Sequence, residues 1–127
     1  MLKNKKILVV EDNMLFSMIL ETMLDQMEIE CVGVCSTEKE ALQKFHQAKP
    51  DIILMDILLD GKDDGLKIAQ EMKSYSDSHI IFITAGDFSK EKIQSMKREG
   101  DILKKPFTFE EFHAALSKSS KLENSWN

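Results

Sequence analysis

The chain has 127 residues, 17 Lys+Arg against 22 Asp+Glu for a formal net charge of -5, and is 43% hydrophobic and 31% charged. That is one domain, long enough to close a core without disulfides or a structural metal, and its acid excess excludes nucleic acid or an anionic membrane as the main partner. No apolar run approaches the roughly 18 residues of a membrane span, and the run after the basic start stops at Glu11, short of the about 7–15 apolar residues of a secretory leader, so the expected compartment is the cytosol.

In chain order, the first apolar run is Ile-Leu-Val-Val at residues 7–10. Asn13 can cap the helix that follows, in which Phe16, Leu20, Met23 and Met27 form a core stripe at three- and four-residue spacing. Met14, Leu15 and Met18 fall off that stripe. A weaker apolar run at 31–34 starts with Cys31 and is followed by a second cysteine, Cys35. On a strand rising about 3.3 Å per residue they stand roughly 13 Å apart, beyond the ~7 Å reach of a disulfide. Their spacing predicts two small core residues on one face of the strand. Thr37 with Glu40 reads as a capping box for the second helix, which Lys49-Pro50 ends. The third run is 52–55, with a helix expected to start near Asp63 or Asp64. The fourth run is 80–83, with a helix starting near Ser89, and the last is the short pair Ile102-Leu103, followed by a capping box of Thr108 with Glu111. Residues 119–127 show no clear periodicity, so the domain is expected over 1–118 with a short tail over 119–127.

Short runs that are apolar on both faces suit strands covered on both sides, which means a parallel sheet. Five of them alternating with helices predict an α/β, doubly wound, five-stranded (βα)5 domain of the flavodoxin type. The chemistry then collects at the carboxyl ends of the strands, where open α/β sheets bind ligands. Val10 runs into Glu11-Asp12, Met55 into Asp56, Ile83 into Thr84, and the fifth strand into Lys104-Lys105-Pro106. In the common order 2-1-3-4-5 the first and third strands are neighbours, which crowds Glu11, Asp12 and Asp56. Three such carboxylates repel unless a proton or cation intervenes. An all-oxygen set with an open edge suits Mg²⁺, which takes one or two carboxylates plus phosphate and keeps several waters. Lys105 can set a fixed positive charge opposite the metal, and Thr84 a hydroxyl between them.

Residues 6–13 (Lys-Ile-Leu-Val-Val-Glu-Asp-Asn), Met55-Asp56-Ile57, Thr84-Ala85 and Lys105-Pro106-Phe107 resemble the CheY-like receiver domain of two-component response regulators, in order and over about residues 4 to 118. The resemblance implies that Asp56 accepts a phosphoryl group from the phosphohistidine of a sensor kinase or phosphotransfer protein. It implies Mg²⁺ on Asp12, Asp56 and the backbone carbonyl of Leu58, with Glu11 acting directly or through water. Lys105 and Thr84 then contact the phosphoryl oxygens. Thr84 and the residue at position 102 form the switch, and the fourth helix, fifth strand and fifth helix present the altered surface to a downstream target. The product is a phosphoprotein that assists its own phosphorylation and hydrolysis, not an enzyme acting on other molecules. With no effector domain expected after 118, output runs through protein contacts.

The sequence departs from the common receiver pattern at named places. Glu11 stands where Asp is most frequent, the loop after Asp56 lacks the frequent proline, and 98–101 is short. Ile102 occupies the switch position where Tyr or Phe is usual; it cannot swing a ring, so coupling uses another residue such as Phe107 or is absent. An interaction module that works without phosphate is therefore the alternative reading. Asp60, Asp64-Gly65 and Glu71 match part of a calcium-loop pattern, but Lys62 sits where an oxygen ligand is needed and a strand-like run precedes it. Residues 11–14 lack the second Asp of an Asp-x-Asp phosphatase, and no Gly-x-Gly-x-x-Gly supports a dinucleotide site. His46, His79 and His113 fall on separate elements and read as surface or half-buried. Met14, Leu15 and Met18 have two readings: part of a broad buried face, or an apolar docking patch for the helical bundle that carries the phosphohistidine.

Overall fold

The computed structural model describes residues 2–59, 61, 62 and 64–124. Asp60 of the calcium-loop pattern and Asp63, one of the two expected helix starts, lie outside the described residues, as do residues 125–127 of the tail.

Five strands, β1 (Lys6–Val10), β2 (Glu30–Cys35), β3 (Ile52–Asp56), β4 (His79–Thr84) and β5 (Gly100–Lys104), alternate with five helices, α1 (Met14–Gln26), α2 (Glu38–Ala48), α3 (Gly65–Lys73), α4 (Lys90–Glu99) and α5 (Phe109–Asn124). The strands form one sheet in the order β2-β1-β3-β4-β5, parallel throughout. This is the doubly wound fold that the apolar runs predict. The reason is burial: Ile7 to Val10 and every residue of β3 are buried, and so are Ile80 to Thr84 of β4. Leu8, Val10, Ile53, Met55, Ile80 and Phe82 face one core, against α2, α3 and α4. Ile7, Val9, Ile52, Leu54, Ile81 and Ile83 face the other, against α1 and α5. Each such side chain contributes about 1.5–3 kcal/mol on burial, so alternate residues of a central strand hold both layers.

The caps fall where the sequence puts them. Asn13 Oδ1 accepts from Phe16 N at 2.9 Å, Thr37 Oγ1 from Glu40 N at 3.2 Å, and Ser89 Oγ from Lys92 N at 3.1 Å. Thr108 and Glu111 make the reciprocal box, Glu111 N to Thr108 Oγ1 at 3.1 Å and Thr108 N to Glu111 Oε1 at 2.9 Å. Asp64 stands at the N-cap of α3 without a side-chain bond. Lys49 closes α2 in the left-handed region, at φ 49°.

Two local expectations change. The cysteines do not share a face: Cys31 packs in the α1/α5 core and Cys35 in the α2–α4 core. Between them the register slips, with Ile7 opposite Cys31 but Leu8 opposite Gly33. The bulge inserts Val32 and reverses the alternation. Both thiols are free, and burial pushes the pKa of each up, which keeps them protonated and poor as metal ligands. The second change is at the end: α5 runs past residue 118 to Asn124, with Leu116 and Ser119 still buried beneath it.

Candidate functional site

The parallel registers bring the strand ends to one edge. Val10 lies opposite Met55, so Glu11 and Asp56 follow side by side. Asp56 lies opposite Ile83, and Thr84 opposite Lys104, so Thr84 and Lys105 continue the same rim. Backbone bonds fix the rim itself: Glu11 N donates to Cys35 O at 2.9 Å and Lys105 N to Thr84 O at 2.8 Å.

On this frame one oxygen from each of Glu11, Asp12 and Asp56 falls within 4.8 Å of the others. Glu11 and Asp56 are buried, while Asp12 is exposed at the open edge. The chain thus gathers the three acids that the sequence singles out. Glu11 Oε2 accepts from Asn13 N at 3.0 Å, and Asp56 Oδ1 from Leu58 N at 3.2 Å. Lys105 Nζ is 3.4 Å from Glu11 Oε1, with the lysine side chain 23% exposed and the glutamate 3%. Thr84 is buried at the end of β4, its Oγ1 accepting from Gly86 N at 3.1 Å.

Burial and the facing Glu11 carboxylate together push Asp56 up to about 7, with burial the larger cause and the Leu58 N–H and Lys105 pulling weakly the other way. Desolvation beside a second carboxylate disfavours the charged form of Asp56, so a cation that restores it is favoured at this edge. The donor set fits a hard divalent ion: only oxygens, tightly convergent, with one exposed carboxylate leaving room for water or phosphate.

Two residues support the site that strand-end reasoning does not reach. Gly65 opens α3 directly against the acceptor loop, its N–H donating to Ile57 O at 3.1 Å. A Cβ there would lie 2.2 Å from the Asp56 carbonyl oxygen and 2.6 Å from Ile57 Cα, so only glycine allows this approach. The signal in the sequence was a glycine just inside a predicted helix start. The second is Phe16, whose ring lies under the Lys105 ammonium, 3.9 Å from nitrogen to centroid. Its helical spacing correctly assigns it to the core stripe but carries no hint of the lysine.

The remaining candidates sort by exposure. Met14 and Leu15 are each 75% exposed and Met18 is 54%, so the broad-buried-face reading of α1 does not hold. Ile102 is half-buried and packs on the α2–α4 core, while Phe107 packs on the α1/α5 core. His46 and His113 are exposed, and half-buried His79 pairs with Asp101 at 2.9 Å. The calcium-loop reading fails on topology: the segment follows β3, and Glu71 lies inside α3.

Residues 7–117 match the family model of the response regulator receiver domain. This chain belongs to that family. Among relatives of this receiver, the probable C4-dicarboxylate response regulator DctR of Halalkalibacterium halodurans is 32% identical over 121 residues, covering 92% of this chain and 52% of the relative. The chemotaxis protein CheY of Thermotoga maritima is 30% identical over 118 residues, covering 92% of this chain and 98% of CheY. Among solved structures, the signal receiver domain of a modulated diguanylate cyclase from Desulfovibrio desulfuricans superposes with a TM-score of 0.79 at 32% identity, covering 94% of this chain and 98% of that one. The response regulator PhyR of Brucella abortus gives 0.84 at 28% identity, over 95% of this chain and 49% of PhyR. The receiver spans about half the length of the first curated relatives it matches. Among the described residues no helix is long and apolar enough to cross a membrane.

Proposed function

We propose that this receiver is a phosphorylation-controlled signalling module whose acceptor is Asp56. The observation that carries the reading is a buried carboxylate at the end of β3, crowded by Glu11 and Asp12. An Asp56 oxygen attacks the phosphorus of a phosphohistidine, forming an O–P bond as the P–N bond breaks. The imidazole nitrogen leaves with the bonding pair and takes a proton from water. Hydrolysis of the acyl phosphate returns the carboxylate and inorganic phosphate.

Both reacting groups are anionic, so neutralisation and alignment account for most of the acceleration. Mg²⁺, when held by Asp12, Asp56 and the Leu58 carbonyl with Glu11 direct or through water, supplies charge neutralisation and favours ionised Asp56. Lys105 supplies a fixed positive charge from the β5 side. The Thr84 hydroxyl, at the end of the neighbouring strand, donates to a phosphoryl oxygen and with position 102 forms the switch. The protein is a substrate that assists its own modification, not an enzyme for other molecules. Phosphate comes from a histidine kinase or phosphotransfer protein whose helical bundle docks on Met14, Leu15 and Met18, three exposed apolar side chains next to the acidic edge. The output partner meets the α4–β5–α5 face, in the cytoplasm.

Ile102 favours one second reading, a receiver-like module that binds its partner without phosphate. Intact mass after incubation with Mg²⁺ and acetyl phosphate separates the two. A gain of one phosphoryl group that disappears in Asp56→Ala supports the first; no gain over that variant supports the second.

A further inference from the structure

The Lys105 ammonium is held from two sides. Glu11 Oε1 stands 3.4 Å away, and the face of Phe16 lies 3.9 Å from the same nitrogen. The distance to the ring is well inside the ~6 Å over which a cation is drawn to an aromatic face. The two contacts differ in kind. The carboxylate is one of three oxygens in the acidic cluster, and an ammonium that settles fully on it cancels a charge the cluster needs for a cation. The ring attracts the same ammonium without using any oxygen.

The ring is itself braced. Phe16 meets Phe107 edge to face, with centroids 5.9 Å apart at 79°. Phe107 stacks on Phe112 at 5.8 Å and 15°, and Phe112 is fully buried in the α1/α5 core. A flexible lysine therefore rests on a rigid three-ring stack anchored in the domain interior. A leucine at position 16 would satisfy the α1 stripe equally well but would offer the ammonium no face.

We propose that Phe16 is a positioning residue for phosphoryl transfer: its ring holds the Lys105 ammonium at the rim of the site, free to meet a phosphoryl oxygen. This rests on Asp56 being the phosphoacceptor. The Phe16 ring carries no group that can bind a cation's water or a phosphoryl oxygen; it acts through Lys105.

The test compares initial rates of acyl-phosphate formation from acetyl phosphate at saturating Mg²⁺ in the wild type, Phe16→Leu, Phe16→Met and Phe16→Tyr, each also in a Lys105→Met background. The ringless variants are expected to slow roughly tenfold, the scale of a partly desolvated cation–ring contact. Phe16→Tyr recovers most of that rate. Calorimetric Mg²⁺ affinity falls in the ringless variants, where the ammonium settles on Glu11, and Phe16→Leu changes neither rate nor affinity once Lys105 is gone. Three results would overturn the assignment: ringless variants as fast as wild type, Phe16→Tyr as slow as Phe16→Leu, or an undiminished Phe16→Leu effect without Lys105. A wild type with no Asp56-dependent adduct is a different failure, one that removes the phosphoacceptor reading and this inference with it.

Discussion

The two ends of the sheet are built on opposite electrostatic plans. At the amino ends of the strands, charges and polar groups meet partners of the right sign. Asp51 accepts from Lys6 N at 2.8 Å, Lys6 Nζ caps Ala48 O at 2.7 Å, and Ser78 Oγ donates to Pro50 O at 2.7 Å. Asp101 sits between His79 at 2.9 Å and Lys118 at 3.5 Å. At the carboxyl ends, three acids converge and one lysine stands beside them. The first end tightens the fold; the second stores repulsion that a cation releases. A domain with both keeps its scaffold fixed while one edge stays poised to change charge.

Breaking that contrast gives its largest effect at Asp56. Asp56→Asn should abolish phosphorylation and yet raise the stability of the metal-free protein, by about 1–2 kcal/mol after screening at this partly wet edge. The sign follows from the raised pKa of about 7. Below the ordinary carboxylate pKa, Asp56 is neutral folded and unfolded, and the substitution changes nothing. Between there and about 7 the unfolded chain has released a proton that the folded one still holds, so wild-type stability falls as pH rises. The gain in Asp56→Asn grows through that window and is constant above it, as denaturant melts at several pH values will show.

Gly65→Ala should come next. A methyl group 2.2 Å from the Asp56 carbonyl oxygen forces α3 off the acceptor loop, costing about 1–3 kcal/mol and slowing phosphorylation through the displaced carboxylate. Acyl-phosphate rates and denaturant midpoints check both effects. At the other end, Asp101→Asn should cost only about 1 kcal/mol or less, as expected of a half-exposed pair, and leave Mg²⁺ affinity and phosphorylation at wild-type levels. Smallest in thermodynamic terms is Met18→Glu on the exposed face of α1: stability within about 0.5 kcal/mol of wild type, slower transfer from a cognate kinase, and unchanged labelling by acetyl phosphate.

The contrast between the two ends was only half legible in the sequence. The carboxyl-end acids were readable because each terminates an apolar run, and a parallel sheet must bring such ends to one edge. Caps and the core stripe of α1 follow from the same local patterning, whereas the strand order was taken as the common one. The amino-end pairs were not readable, because Asp51 with Lys6 and His79 with Asp101 depend on which strands lie side by side. The β2 bulge was hidden as well: Val32 is as good a strand residue as any, and only the slipped register against β1 shows that it turns Cys31 and Cys35 to opposite cores. Phe16 was assigned correctly to the core by its spacing, but its second contact needs Lys105 from the far end of the chain. The helical course of α5 beyond residue 118 was missed because periodicity is weak there.

The central claim is that Glu11, Asp12 and Asp56 form a cation site whose occupancy depends on ionised Asp56. Calorimetric titration of the wild type with Mg²⁺ at pH 6 and pH 8 tests it directly. The account predicts one saturable site, weaker at pH 6, with proton release on binding near pH 7, and lost in Asp12→Asn and Asp56→Asn. Absence of saturable binding, or an affinity that neither the pH nor these two substitutions alter, would contradict it.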